Sequence, residues 1–166
     1  MIYLLDANTY IEAKNRYYQA SFCPAYWDWL DHQFDQGNLV SIAPVFDELS
    51  EYGDDLSKWV KQRKAHFVDV SSEDVQDKFA EVAEFVATMS NKSQADVARF
   101  LDCADPWLVA KAVVLGGVVV THESLVDDAQ SKKVKLPNVC KKFGVAHMDT
   151  FQLLNVLAGM FTLQKH

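Results

Sequence analysis

An α/β architecture with a mostly parallel central sheet follows from the order of apolar segments along this chain. Short apolar runs at Ile2–Leu5, Leu39–Ile42 and Val118–Val120 have the length and composition of buried strands. Between and around them lie longer stretches whose apolar residues recur at helical period. The third run is β-branched throughout, as expected of a strand covered on both faces. Strands alternating with helices are the pattern of a parallel sheet.

The elements can be justified in order. Ile2–Leu5 ends on Asp6, and residues 8–14 continue as a helix. Residues 21–34 carry Phe22, Tyr26, Trp27, Trp29 and Phe34 at spacings that pack several rings along one helix. Gly37-Asn38 turns the chain into the second strand. Pro44 opens a helix bearing Val45, Phe46, Glu48 and Leu49, which Gly53 ends. Asp54 or Asp55 caps the next helix, with Leu56, Trp59 and Val60 as its apolar stripe. Residues 66–70 alternate like a short strand. Ser72 caps a long helix whose Val75, Phe79, Val82, Phe85, Val86 and Met89 share a face. Ser93 starts another helix that ends near Asp102. Asp105-Pro106 predicts an Asp N-cap with Pro at the first helical position, and that helix runs to Gly116-Gly117. After Val118–Val120, Pro137 and Gly144 punctuate the tail, residues 145–147 form a last strand, and Asp149 caps a final helix.

Composition narrows the class. The 166 residues, 49% hydrophobic and 23% charged, suit one soluble domain spanning 1–166. A chain of this length buries roughly two-thirds of its unfolded surface, so folding needs no disulfide or metal staple. Sixteen Lys and Arg stand against 23 Asp and Glu, for a net charge of −7. That balance excludes a protein that coats nucleic acid indiscriminately. The charge is uneven: residues 1–83 hold 15 acids and 7 bases, and residues 84–166 hold 8 acids and 9 bases. The opening residues lack a basic, then apolar, leader pattern, and no apolar run approaches the ~20 residues of a membrane span. Cys23, Cys103 and Cys140 are odd in number and widely spaced, which suits free thiols in a reducing cytoplasm.

In parallel sheets, ligands bind outside the carboxyl ends of the strands. Four acids fall on that edge. Asp6 ends the first strand, Glu48 lies one turn into the helix after the second, Asp105 opens the helix leading to the third, and Glu123 follows it. A one-residue slip would exchange Glu48 for Asp47, and Asp127 or Asp128 could replace Glu123 if the loop folds back. Converging carboxylates repel, and a divalent cation relieves that repulsion. Oxygen-only ligands suit Mg2+ or Mn2+, which engage phosphates and activate water. The implied chemistry is hydrolysis of a phosphate ester.

The blocks Leu4-Leu5-Asp6-Ala7-Asn8-Thr9-Tyr10-Ile11, Val45-Phe46-Asp47-Glu48-Leu49, Asp105-Pro106-Trp107-Leu108-Val109-Ala110-Lys111-Ala112 and Val118-Val119-Val120-Thr121-His122-Glu123 occur in this order. In order and spacing they resemble the PIN-domain superfamily of metal-dependent ribonucleases, which includes VapC-type toxins. The resemblance spans nearly the whole chain, and details such as Tyr17-Tyr18 and Trp27-Asp28-Trp29 look like one bacterial branch of PIN-like proteins. It implies a three-layer PIN-like fold and a Mg2+- or Mn2+-dependent endoribonuclease of a toxin–antitoxin pair. It further implies RNA as substrate, a protein antitoxin as partner, and homodimers. Asp6, Glu48 and Asp105 match the family's metal-binding acids. Glu123 stands where the family more often has Asp, one CH2 shorter. Asn8 and Thr121 match small polar residues that orient carboxylates or touch substrate.

Other residues have less to say. The histidines form no HxxxH or HExxH pattern, which argues against zinc catalysis, although His122 adjoins Glu123. Cys103 reads as a small buried residue near Asp105. Tyr17, Tyr18 and Trp107 are the aromatic candidates for stacking on bases. Lys132, Lys133, Lys135, Lys141 and Lys142 form an acid-free basic run and are the candidate contacts to the RNA backbone. Two rival readings stand beside the nuclease. One is a catalytically silent PIN-like module that binds RNA or protein. The other is a haloacid-dehalogenase-like phosphatase, whose second acid would fall where Asn8 stands.

Overall fold

The computed structural model describes residues 1–127 and 129–162. Its strands are β1 (Tyr3–Leu5), β2 (Leu39–Ile42), β3 (Phe67–Val68), β4 (Val118–Val120) and β5 (His147–Met148). They form one sheet in the order β3-β2-β1-β4-β5, and every neighbouring pair is parallel. The central strand β1 aligns Tyr3 with Leu39 on one side and Val118 on the other. Tyr3, Leu4, Leu5 and all of β4 are buried, as strands covered on both faces must be.

Helices flank the sheet: α1 (Ala7–Glu12), α2 (Pro24–Asp35), α3 (Ala43–Ser50), α4 (Asp55–Lys61), α5 (Glu73–Ala87), α6 (Gln94–Asp102), α7 (Asp105–Leu115), α8 (Leu136–Lys142) and α9 (Thr150–Val156). The caps follow local chemistry. Asp54 rather than Asp55 caps α4, accepting from the Ser57 N–H at 2.9 Å. Ser93 caps α6. Asp149 and Gln152 close a reciprocal capping box on α9. Gly116 ends α7 with a left-handed φ of 59°, and Gly117 lies so close to Leu4 and Ile2 that a Cβ there would collide with them. Among the described residues, no helix is long and apolar enough to cross a membrane.

Several boundaries differ from the sequence reading. The first helix continues through a π-helical turn at Ala13–Tyr17, carried by hydrogen bonds such as Tyr18 N–H to Ala13 C=O. The helix expected from residue 21 begins at Pro24, whose fixed φ suits a first turn. The strand expected over 66–70 shrinks to β3, because Lys64–His66 form a 3₁₀ turn. The last strand sits at His147–Met148 rather than 145–147. Its register is set by pairing with β4, where Val119 aligns with His147.

The strand order fixes the location of the site. From β1 the chain winds outward through β2 and β3, then returns to place β4 on the other side of β1. The crevice outside the carboxyl ends of β1 and β4 is therefore the topological switch point.

Candidate active site

Asp6 leaves β1 and immediately precedes α1. Its backbone N–H donates to the Val120 carbonyl at 3.0 Å, so the two central strands hold it in register. Its own carbonyl accepts the Thr9 hydroxyl at 2.6 Å. The side chain is buried, and Oδ2 accepts the Thr121 hydroxyl at 2.8 Å. Thr121 Oγ1 in turn accepts the Glu123 N–H at 3.1 Å. One buried hydroxyl thus links the acid after β1 to the loop after β4. Asn8 borders the same cavity, and its backbone N–H helps to favour the ionised Asp6.

The remaining acids arrive from separate elements. On α3, Glu48 Oε1 accepts the Ala104 N–H at 2.7 Å, tying α3 to the turn before Asp105. Asp47, its neighbour, is exposed and lines an adjoining recess with Glu51 and Asp102 rather than this cavity. Asp105 was expected as an N-cap, and the structure corrects this. The helix starts at Asp105 itself, and Ala104 takes the cap position, its carbonyl accepting the Leu108 N–H at 2.9 Å. The Asp105 carboxylate lines the cavity, and Glu48 holds the Ala104 N–H beside it. Glu123 Oε2 accepts the Leu136 N–H at 3.2 Å and stands 3.7 Å from Lys135 Nζ.

Asp6, Glu48, Asp105 and Glu123 all line one cavity of about 420 Å³. Burial, reinforced by Glu123 and Glu48 against the Thr121 hydrogen bond, pushes the Asp6 carboxyl up to about 6. Burial, then Asp6, Glu123 and Glu48, holds Asp105 well above the usual carboxylate range. Glu48 is also raised, by burial first. Among the described residues, however, no three His, Cys, Asp or Glu side chains converge closely enough to hold a metal ion as arranged. Two of the four acids explain part of this, since Glu48 and Glu123 each give one oxygen to a backbone N–H. The donor chemistry still fits a hard divalent cation. The acids offer oxygen alone, and the neighbouring carboxylates help to raise Asp6 and Asp105, an effect that an added positive charge would reverse.

The other predicted residues divide. Lys133 and Lys135 border the acidic cavity. Lys132 is exposed outside it, and Lys141 and Lys142 border a different groove with Phe85, Met89 and Leu125. The basic run is split because α8 begins at Leu136 and carries its last two lysines away. Asp127 belongs to that second groove and accepts the Ala129 N–H at 3.0 Å, so it does not replace Glu123; Asp128 lies outside the described residues. Trp107 stacks on Phe79 at 3.7 Å and Tyr18 on Tyr26 at 4.3 Å, both as packing. Cys103 lines the cavity and donates to the Phe100 carbonyl at 3.2 Å. Burial, and then Asp105, pushes its thiol up to about 12, which keeps it from acting as a thiolate.

Sequence reasoning missed Arg99. It reaches the cavity from α6, where it pairs with Asp96 one turn earlier. The available signal was position, since α6 ends just before Asp105 and so delivers its last turn to the same edge.

The family profile described as "Domain of unknown function (DUF4411)" matches residues 3–161. The chain belongs to the DUF4411 family. No curated protein matches its sequence. Among solved structures, this DUF4411 domain is similar to a chain in the crystal structure of VapBC2 from Rickettsia felis bound to a DNA fragment from their promoter. The TM-score is 0.51 at 13% identity, covering 90% of this chain and 98% of that one. The DUF4411 fold seen here is thus PIN-like, a five-stranded all-parallel sheet flanked by helices.

Proposed function

We propose that this protein is a Mg2+- or Mn2+-dependent endoribonuclease, a single PIN-like domain that serves as the toxin of a type II toxin–antitoxin pair. The observation that carries the reading is the meeting of Asp6, Glu48, Asp105 and Glu123, from four distant segments, around one cavity at the switch point. Asp6, Glu48 and Asp105 would hold the ion, and Glu123 supports them from the β4 side. When bound, the ion lowers the pKa of an attacking water and offsets charge on the phosphoryl oxygens. Thr121 fixes Asp6 by its hydroxyl and holds the Glu123 backbone by the same oxygen. Asn8 orients substrate at the cavity wall. Lys133, Lys135 and Arg99 neutralise RNA phosphates at its rim. The PIN-like fold shared with a VapBC2 chain supports the pairing with an antitoxin, which would present basic side chains to the acids. Homodimers accord with the same reading.

The test is cleavage of a mixed RNA pool with Mg2+ or Mn2+, with and without EDTA. Asp6→Asn and Asp105→Asn should abolish a metal-dependent activity, and intact cleavage in both variants refutes the assignment. A second reading, a silent module that binds RNA or protein, is favoured by one observation: the acids as arranged do not close on a single point. Calorimetric titration with Mn2+ separates the two. Binding that disappears in Asp6→Asn supports the enzyme, and no binding at millimolar metal supports the module.

A further inference from the structure

Outside the acidic cavity, three aromatic rings meet on the same edge of the sheet. Tyr17, Phe151 and His122 stand with centroids 5.0 Å apart for Tyr17 and Phe151, and 5.8 Å from His122 to each. Tyr17 is 42% exposed and Phe151 40% exposed, so two of the large exposed side chains of the molecule converge on one spot. Isolated exposed rings need no explanation, but a cluster of them marks a binding surface. The rings rest on a firm base. Phe151 also contacts Tyr18 at 6.5 Å, and Tyr18 stacks on the buried Tyr26.

Each ring is tied to the acids by the chain itself. Tyr17 ends the π-helical turn that extends α1, the helix that Asp6 precedes. His122 lies between Thr121, which binds Asp6, and Glu123. Phe151 follows β5 on α9. His122 also borders a second cavity of about 310 Å³, lined by polar groups that include His147, Asp149 and Gln152. Glu123 lines this cavity and the acidic one, so the two are adjacent.

We propose that Tyr17, His122 and Phe151, with the cavity beside His122, form a subsite that stacks and holds one unpaired nucleobase of an RNA strand. Tyr17 and Phe151 meet edge to face at 80°, so a base stacks on one ring and meets the edge of the other, while His147, Asp149 Oδ2 and Gln152 Nε2, the last two being atoms that the α9 capping box does not use, offer donors and acceptors to its edge. A base held there lies next to Glu123, and its strand can pass its phosphates to Arg99, Lys133 and Lys135 at the acidic cavity. The placement of the scissile phosphate rests on the nuclease reading; the capture of a base does not.

The test uses the full chain in EDTA and a single-stranded oligoribonucleotide containing 2-aminopurine. Its fluorescence falls when the base stacks. The wild type should quench it and bind the strand. Tyr17→Ala and Phe151→Ala should each lose the quench and weaken binding about fivefold or more, as expected for a lost stacking ring. Tyr17→Trp, which keeps a ring, should retain both. Asp6→Asn should retain the quench. Circular dichroism confirms that the alanine variants fold. Unchanged quench and affinity in both alanine variants overturns the proposal. So does a loss of self-association, measured by light scattering, with RNA binding intact, since the rings are then a protein interface. Wild type that quenches but cleaves no RNA with any divalent cation refutes the nuclease reading and upholds the subsite. Cleavage with the same KM in wild type and ring variants does the reverse.

Discussion

Replacing Asp6 by Asn should stabilise the metal-free protein while removing its response to divalent cations. The Asp6 carboxyl is buried and pushed from 3.8 up to about 6, by burial first and then by Glu123 and Glu48. A carboxyl raised on folding binds more protons in the folded chain than in the unfolded one between about pH 4 and 6. Stability therefore falls as pH rises through that window and stays low above it. The shift corresponds to at most about 3 kcal/mol at neutral pH. Asn carries no charge and keeps an oxygen to accept the Thr121 hydroxyl, so about 1–3 kcal/mol should be recovered. For a chain of this length that is a rise in Tm of roughly 2–10 °C. Thermal unfolding in EDTA, followed by circular dichroism at pH 7.5 and again near pH 4, gives the comparison. The variant should be the more stable at pH 7.5, with the gap closing at the acid end. Mn2+ should then raise the Tm of the wild type and leave the variant unmoved. A variant no more stable than wild type at pH 7.5, or a gap that does not depend on pH, refutes the argument that burial and the neighbouring acids hold the Asp6 carboxyl against ionisation.

Three further outcomes follow from named contacts. Thr121→Val removes the buried donor to Asp6 and the acceptor of the Glu123 N–H, and should cost about 1–3 kcal/mol in a denaturant melt along with most of the cleavage. Lys135→Ala should raise KM for RNA and reduce the salt dependence of binding by about one charge, whereas Lys141→Ala should leave both unchanged, because Lys135 borders the acids and Lys141 borders the other groove. Gly117→Ala drives a methyl group into Leu4 and Ile2 under the central strands, and should lower stability by about 1–3 kcal/mol, read from the urea midpoint.

Much of the frame is legible in the sequence. The runs Ile2–Leu5, Leu39–Ile42 and Val118–Val120 could be read because strands inside a parallel sheet are almost wholly apolar, and Ser41, the one polar residue among them besides Tyr3, is buried with its hydroxyl donating to the Leu5 carbonyl. Helix starts at Ser93 and Asp149 could be read because a side-chain oxygen must replace missing backbone partners locally. The elements that misled are those decided by neighbours. The 3₁₀ turn at Lys64–His66 shortened β3, and β5 took its register from β4. Asp105 reads as a cap because Asp before Pro usually is one, yet the first helical turn starts one residue earlier, with the Leu108 N–H donating to the Ala104 carbonyl.

The sequence by itself determined which acids end or follow the buried strands, since strand ends are written in local hydrophobicity and the carboxyl edge of a parallel sheet follows from them. Only the tertiary structure decided what surrounds those acids. It brought Arg99 to the cavity, separated Lys133 and Lys135 from Lys141 and Lys142, and gathered Tyr17, His122 and Phe151 from three distant segments. Those juxtapositions depend on strand order and helix packing. Both are set by the burial of the whole apolar core rather than by any short stretch of chain.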